Sequence, residues 1–261
     1  MDDYLRTANQ IADSAAEIAL TYFSFETENT WKEDGSPLTV ADTKINKLVI
    51  DTINTAFPEH SILGEEESDR KKGSRYIWVC DPVDGTVPFS VGLPTFTFSL
   101  ALVDQSDGQP IMGLVNDPVM KNRYWATKGG GAYRNGIKIH VALNTDLKNT
   151  YVEIDGSSIF NRMDFSNTKT MEDLRSKGSR AMKLLSVVYG GIQVANGKFV
   201  GVIFFGPYAH DVAALKIITE EAGGRATDLA GASRRYDEQG LGFLASNGIL
   251  HQELLSAIAK A

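Results

Sequence analysis

Apolar residues recur at helical spacing in several stretches of the chain. Leu5, Ala8, Ile11, Ala12, Ala15, Ala16, Ile18, Ala19 and Tyr22 form one stripe, which predicts an amphipathic helix over residues 4–23. Ile45, Leu48, Val49 and Ile53 predict a second from Asp42 to Ala56, stopped before Pro58. A third reads from Ala181 to Val194. A fourth follows Asp211 and ends at Gly223-Gly224, a C-terminal stop signal. Asn247 is placed to cap a last helix running to the C-terminus. Short apolar runs read as strands: Ser61–Leu63, Tyr76–Cys80, Phe96–Val103, Ile111–Asn116, Arg123–Thr127, Ile137–Val141, Lys198–Phe204 and Phe243–Ser246. Thr27–Pro37 and Gly129–Gly136 read as turns, and residues 151–176 show no clear period. Helices and strands come in blocks, which suggests two tightly joined α+β subdomains, residues 1–145 and 146–261, with the break near 140–155.

Composition narrows the function classes. With 261 residues the chain can bury a substantial core. A net charge of −7 with no basic block speaks against nucleic acid as the main partner. Phosphate ligands stay admissible, because a bound cation reverses the sign locally. Cys80 is the only cysteine, so an intrachain disulfide is excluded and a reducing compartment is the default. The N-terminus lacks a signal-peptide layout, and no apolar run approaches the roughly 18 residues of a membrane span. A cytoplasmic protein with no membrane partner is expected.

The chemistry concentrates where Tyr76–Cys80 runs into Asp81. Pro82 cannot donate to a central ladder, and Asp84-Gly85-Thr86 suits a tight turn opening a helix. Turn chemistry explains Asp84 but not Asp81 directly behind an apolar run. Two carboxylates at a strand end are costly unless something positive stands between them. A divalent cation is the economical candidate, since hard cations take carboxylate and carbonyl oxygens. The helix start offers N–H groups to a phosphate. An aspartyl-nucleophile phosphatase would need Asp-x-Asp-Gly-Thr, one residue shorter than here. A cysteine phosphatase would need Arg where Thr86 stands. Gly131 and Gly136 have phosphate-loop spacing, but Ile137 occupies the lysine position, so a β-turn is the better reading. Taken singly, Glu65-Glu66-Glu67 reads as a solvated loop, Asp42 as a helix cap, and Asp211 as cap or site residue. Only their order together with Asp81 and Asp84 turns them toward a site.

That order resembles the inositol monophosphatase family. Gly64-Glu65-Glu66, Asp81-Pro-Val-Asp-Gly-Thr86, and Asp211-Val-Ala-Ala214 ahead of Glu221-Ala-Gly-Gly224 carry the likeness. Lys32–Asp42 and Gly131–Gly136 extend it over nearly the whole chain. The family belongs to the lithium-sensitive, magnesium-dependent phosphatases that include fructose-1,6-bisphosphatases. The resemblance implies an α+β fold of alternating helix and sheet layers and hydrolysis of a small phosphorylated substrate such as an inositol, sugar or polyol phosphate. It implies one Mg²⁺ on Glu65, Asp81 and the Val83 carbonyl, a second on Asp81, Asp84 and Asp211, and a third, looser one on Glu65 and Glu66. Mn²⁺ would substitute and Li⁺ would inhibit. Asp42 would pair with Thr86 to orient the attacking water, with Glu65 the further catalytic residue. Gly85 and Thr86 would bind phosphate. Arg180, Lys183 and Tyr208 are candidates for contacting the leaving group. Homodimers are common in the family, so a homodimer is a further expectation. Phe204 stands where inositol phosphatases carry a Glu that binds substrate hydroxyls, and His210 replaces the usual Trp. Pro88 replaces Asn or Ser. Histidinol phosphate and fructose 1,6-bisphosphate are therefore alternative substrates, and a non-catalytic metal- and phosphate-binding regulator is the alternative of another class.

Overall fold

This computed structural model describes residues 1–24, 27–33, 35–156 and 165–259. Helix α1 (Asp2–Tyr22) buries Ala8, Ile11, Ala12, Ala15 and Ala19, the stripe read from the sequence. Strands β1 (Asn29–Trp31) and β2 (Pro37–Thr39) pair antiparallel where the sequence reads only as turn. Asp34, between them, lies outside the described residues. Helix α2 (Val40–Ala56) starts ahead of Asp42 because Thr39 is its N-cap. The Asp42 side chain accepts from the Thr39 N–H at 2.8 Å and closes a capping box.

Strand β3 (Ser61–Gly64) pairs parallel with β4 (Tyr76–Asp84), which pairs antiparallel with β5 (Thr97–Asp104). The sequence reading ended β4 at Cys80. Instead its register shifts between Asp81 and Asp84, and this bulge lets Pro82 stay in the strand without supplying a ladder donor. A five-residue helix, α3 (Thr86–Ser90), follows. An antiparallel meander through β6 (Gln109–Asp117), β7 (Asn122–Thr127), β8 (Gly131–Arg134) and β9 (Ile137–Lys138) completes a seven-stranded sheet ordered as in the chain. The glycine-rich stretch before β8 is a turn whose Gly129 and Gly131 N–H groups donate to the Glu221 carboxylate at 2.6 and 2.7 Å.

The rest of the chain builds a second sheet. Its elements are β10 (Tyr151–Asp155), α4 (Phe165–Ser176), β11 (Arg180–Met182), α5 (Val187–Ala195), β12 (Gly201–Phe204), α6 (Ala213–Glu221), β13 (Arg225–Thr227), β14 (Phe243–Ser246) and α7 (His251–Ile258). The five strands lie in the order β11-β10-β12-β14-β13, with β10 parallel to both neighbours. Within the poorly legible 151–176 stretch, residues 157–164 lie outside the described residues. The helix expected from Ala181 begins only at Val187. Residues 180–182 are a strand, and Leu185 takes φ 61°, which no α-helix accommodates.

Alternation along the strands stacks these pieces in five layers. Trp78, Cys80, Leu100 and Leu102 face α1 and α2, while Ile77, Val79, Ala101 and Val103 face α5 and α6. Val202, Phe204 and Ala245 approach α5 and α6 from the second sheet, and Val152, Ile154 and Ile203 face α4 and α7. A sheet covered on both sides explains why the Tyr76–Cys80 part of β4 is apolar at every step instead of at alternate ones. The central helices are packed tightly: a Cβ on Gly113 of β6 would lie 2.9 Å from the Ala214 carbonyl oxygen.

The tightest fit in that layer involves Glu153 of β10, which is 0 % exposed. A Cβ on Gly190 of α5 would lie 1.0 Å from Glu153 Oε2. In an open helix, Gly→Ala stabilises by about 0.5–1 kcal/mol. Here Gly190→Ala should instead overpack the core, at a cost of about 1–3 kcal/mol, and lower the thermal midpoint by several degrees. Adding Glu153→Ala should recover part of that loss. A midpoint unchanged or raised in Gly190→Ala alone would contradict the fit.

Candidate metal and phosphate site

The bulge in β4 turns Asp81 and Asp84 toward one place, and the turn before α6 brings Asp211 there. One carboxylate oxygen from each lies within 4.8 Å of the others. Asp81 is 2 % and Asp84 4 % exposed, and Asp81 Oδ1 has no hydrogen-bond partner. Burial, then the charges of Glu65, Asp84 and Asp211, push the Asp81 carboxyl well above the usual carboxylate range. Burial and then Glu65 do the same to Asp211. Among the described residues, no Lys or Arg pairs with Asp81 or Asp84.

Asp84 is held by groups distant in sequence. Its Oδ2 accepts from Thr97 Oγ1 at 3.1 Å, from the Tyr189 N–H at 3.3 Å, and from Ser186 Oγ in a short bond. Val188 donates a further backbone N–H. Asp84 therefore caps the N-terminus of α5 from another sheet, although Ser186 is the local N-cap residue. Burial outweighs these donors and pushes Asp84 up to about 6.

A second acidic group lies beside the first. Asp42, Glu65 and Glu66 also present oxygens within 4.8 Å of one another. Lys32 Nζ donates to Glu65 Oε1 at 2.8 Å and to Glu66 Oε1 in a shorter contact. Burial pushes Asp42 up to about 7, against the pull of its bonds from Thr39. Thr86 Oγ1 lies 3.5 Å from Asp42 Oδ1 and 3.0 Å from the Val83 carbonyl oxygen, so the expected Asp42–Thr86 pairing is present but long.

Gly85 sits at φ 85° as the N-cap of α3, where a Cβ would meet the Thr95 carbonyl oxygen at 2.7 Å. Only glycine suits that conformation and that space. A cavity of roughly 170 Å³ opens in front of it, with Glu65, Asp84, Thr86, Val87 and Asp211 on its walls. Thr86 and Val87 begin the helix, where N–H groups have no intrahelical partner, and Pro88 has none to offer. A larger hollow of about 500 Å³, beside Asn9, Asn116 and Arg123, carries only Asp117 among the acids.

The structure sets Glu65, Asp84, Gly85, Thr86 and Asp211 on the walls of this cavity, groups Asp81 with Asp84 and Asp211, and groups Asp42 and Glu66 with Glu65, but it does not bring every expected residue there. Tyr208 lines an adjoining hollow of about 410 Å³ shared with Glu65, its ring stacked on His210 at 5.2 Å. Arg180 is not brought to the site: it pairs with Tyr151 at the far end of β10 from Asp155, its guanidinium over the Tyr151 ring. Lys183 lies nearer, and its charge pulls the Asp155 carboxyl down against burial. Sequence reasoning missed Thr97, Ser186 and Asp155: the first two sit in stretches read only as a strand and a helix, and Asp155 in the stretch without a clear period. It quoted Lys32 without assigning it a partner.

Comparison with known proteins agrees with this geometry. The chain matches the model of the inositol monophosphatase family over residues 1–261. It is 33 % identical over 221 residues to a fructose-1,6-bisphosphatase/inositol-1-monophosphatase of Thermotoga maritima, covering 85 % of this chain and 82 % of the relative. It is 29 % identical over 260 residues to a histidinol-phosphatase of Chlorobaculum parvum, covering 98 % and 96 %. A solved Thermotoga maritima IMPase superposes with a TM-score of 0.88 at 26 % identity, covering 100 % of this chain and 98 % of that one. The chain belongs to the inositol monophosphatase family of phosphoric monoester hydrolases.

Proposed function

We propose that this chain hydrolyses a small phosphomonoester with Mg²⁺ held by Asp81, Asp84 and Asp211, and with further Mg²⁺ on Glu65 with Asp81 and the Val83 carbonyl, and on Glu65 with Glu66. The observation that carries the reading is the convergence of three carboxylates, one with an orphan oxygen, where no described Lys or Arg pairs with Asp81 or Asp84. Such a set fits a hard divalent cation and fits little else. When bound, the cation supplies positive charge against the phosphoryl oxygens and the leaving alkoxide and lowers the pKa of the attacking water.

The chain's own groups supply position and polarity. Gly85, Thr86 and Val87 line the cavity, and the unpaired backbone N–H groups where α3 starts suit phosphoryl oxygens. Thr86 Oγ lies 3.0 Å from the Val83 carbonyl and 3.5 Å from Asp42, so Thr86 and Asp42 are placed to orient a water together. Asp84 is kept in place by Thr97, Ser186 and the α5 N-terminus, so its carboxylate needs no rearrangement to act as ligand. The lone buried Cys80 supports a reducing, cytoplasmic setting.

Purified protein should release inorganic phosphate from phosphomonoesters only with Mg²⁺ or Mn²⁺, with inhibition by Li⁺. Asp81→Asn should abolish turnover while the fold is retained by circular dichroism; full activity in that variant would refute the assignment. Magnesium binding without turnover across a broad phosphomonoester panel would instead indicate a regulatory binder. Ser186→Ala should weaken Mg²⁺ affinity or rate about 10–100-fold, read by titration and initial rates. Because Asp84 is raised to about 6, and Asp81 and Asp211 are also raised, protons compete with the metal. Affinity should therefore rise as pH increases from 6 to 8, with proton release at the low end. Calorimetry in buffers of different ionisation enthalpy measures both, and a pH-independent affinity would contradict the shifted pKa values.

A further inference from the structure

Glu153 of β10 is a buried acid outside both acidic triads and off the walls of the cavity. It is 0 % exposed, and its Oε2 has no hydrogen-bond partner. A carboxyl in that position costs folding free energy, whereas an apolar side chain of similar volume would not. Its presence therefore calls for a role other than stability.

Val152 and Ile154 pack beneath α4 and α7, so Glu153 points the other way, toward α5. Asp155, two residues on and on the same face, reaches the cavity wall beside Phe204. Glu153 lies one step deeper, where its carboxyl meets the chain at two points. Its Oε1 accepts the Leu184 N–H at 3.3 Å. Its Oε2 occupies the space that Gly190 leaves open, 1.0 Å from where a Cβ would stand. These contacts bracket the three groups that hold Asp84: the Ser186 hydroxyl and the Val188 and Tyr189 N–H groups. Between them Leu185 takes φ 61°, a conformation that persists in a bulky residue only where its surroundings fix it. Ser186 also lies against Gly85, whose added Cβ would stand 2.8 Å from the Ser186 Cβ. Burial, then Asp155 and Asp84, push the Glu153 carboxyl well above its usual range. In its protonated form it keeps a carbonyl acceptor for Leu184 without adding charge behind Asp84.

We infer that Glu153 is a positioning residue: by clamping residues 184–190 from behind, it sets Ser186 and the α5 N-terminus, and through them the Asp84 carboxylate as a metal ligand. This rests on the phosphatase reading above. The effect passes through the donors to Asp84, in the way that outer partners of metal ligands govern affinity.

Two variants of the full chain separate positioning from packing. Glu153→Leu removes the acceptor and keeps the space filled, and Glu153→Gln keeps a carbonyl acceptor for Leu184. With no oxygen left orphaned, Glu153→Leu should melt at or above the wild-type midpoint in the absence of metal. Its Mg²⁺ affinity by calorimetry should nevertheless fall about tenfold. The Mg²⁺ dependence of p-nitrophenyl phosphate hydrolysis should shift to match. Glu153→Gln should stay close to wild type in both. If Glu153→Leu folds poorly, Glu153→Ala combined with Gly190→Ala refills the space by another route and should show the same loss. Unchanged Mg²⁺ affinity in a folded variant lacking the acceptor, or an equal loss in Glu153→Gln, would overturn the inference and leave the phosphatase reading standing. A wild type that neither binds Mg²⁺ nor turns over the ester would remove both.

Discussion

Electrostatic repulsion among acids forced out of water governs this molecule. Asp81, Asp84 and Asp211 lie within 4.8 Å of one another, and Glu65 adds to the field on Asp81 and Asp211. Burial of unpaired charge is among the most destabilising arrangements a fold can hold. The chain tolerates it because layers on both sides of the seven-stranded sheet bury enough apolar surface to hold the acids in place. Burial and mutual repulsion push the Asp81, Asp84 and Asp211 carboxyls up, so protonation is the means by which this charge can be relieved from within.

The neighbouring triad relieves its charge differently. Lys32 reaches across to Glu65 and Glu66, so a side chain supplies the positive charge there. The two acidic groups are thus unequal. In one the carboxylates Asp81 and Asp84 have no Lys or Arg partner among the described residues, and in the other Lys32 already meets the charge of Glu65 and Glu66.

Rigidity at the phosphate end and variation at the leaving-group end have separate structural origins. Gly85, the β4 bulge and the Asp84 cap on α5 are backbone features, set by sterics and by donors that cannot be retuned singly. Phe204 and Asp155 are side chains at strand ends, where a substitution changes the wall without touching the ladder. A family can therefore keep its hydrolytic chemistry while the alcohol it releases changes.

How much was legible followed from how local each signal was. The stripe of α1, the β4 run, the Gly-Gly stop after α6 and the Asp81–Thr86 turn rest on spacing within a dozen residues, and the structure keeps them, with the β4 boundary moved by its bulge. The helix read from Ala181 failed because Leu185 turns with positive φ and residues 180–182 find a strand partner in β10, a pairing no local pattern announces. Arg180, expected as a leaving-group contact, takes part in the same strand pairing, opposite Tyr151. By itself the amino-acid order determined which acids are present, their motif spacing, and the glycine at the φ 85° corner, because these depend on residue type and short-range sterics. Only the tertiary structure decided that Ser186 and the α5 N-terminus hold Asp84, that Lys32 joins Glu65 to Glu66, and that Asp155 faces the cavity beside Phe204. Those contacts join residues up to about a hundred positions apart, and packing of layers, not the run of the chain, sets such distances.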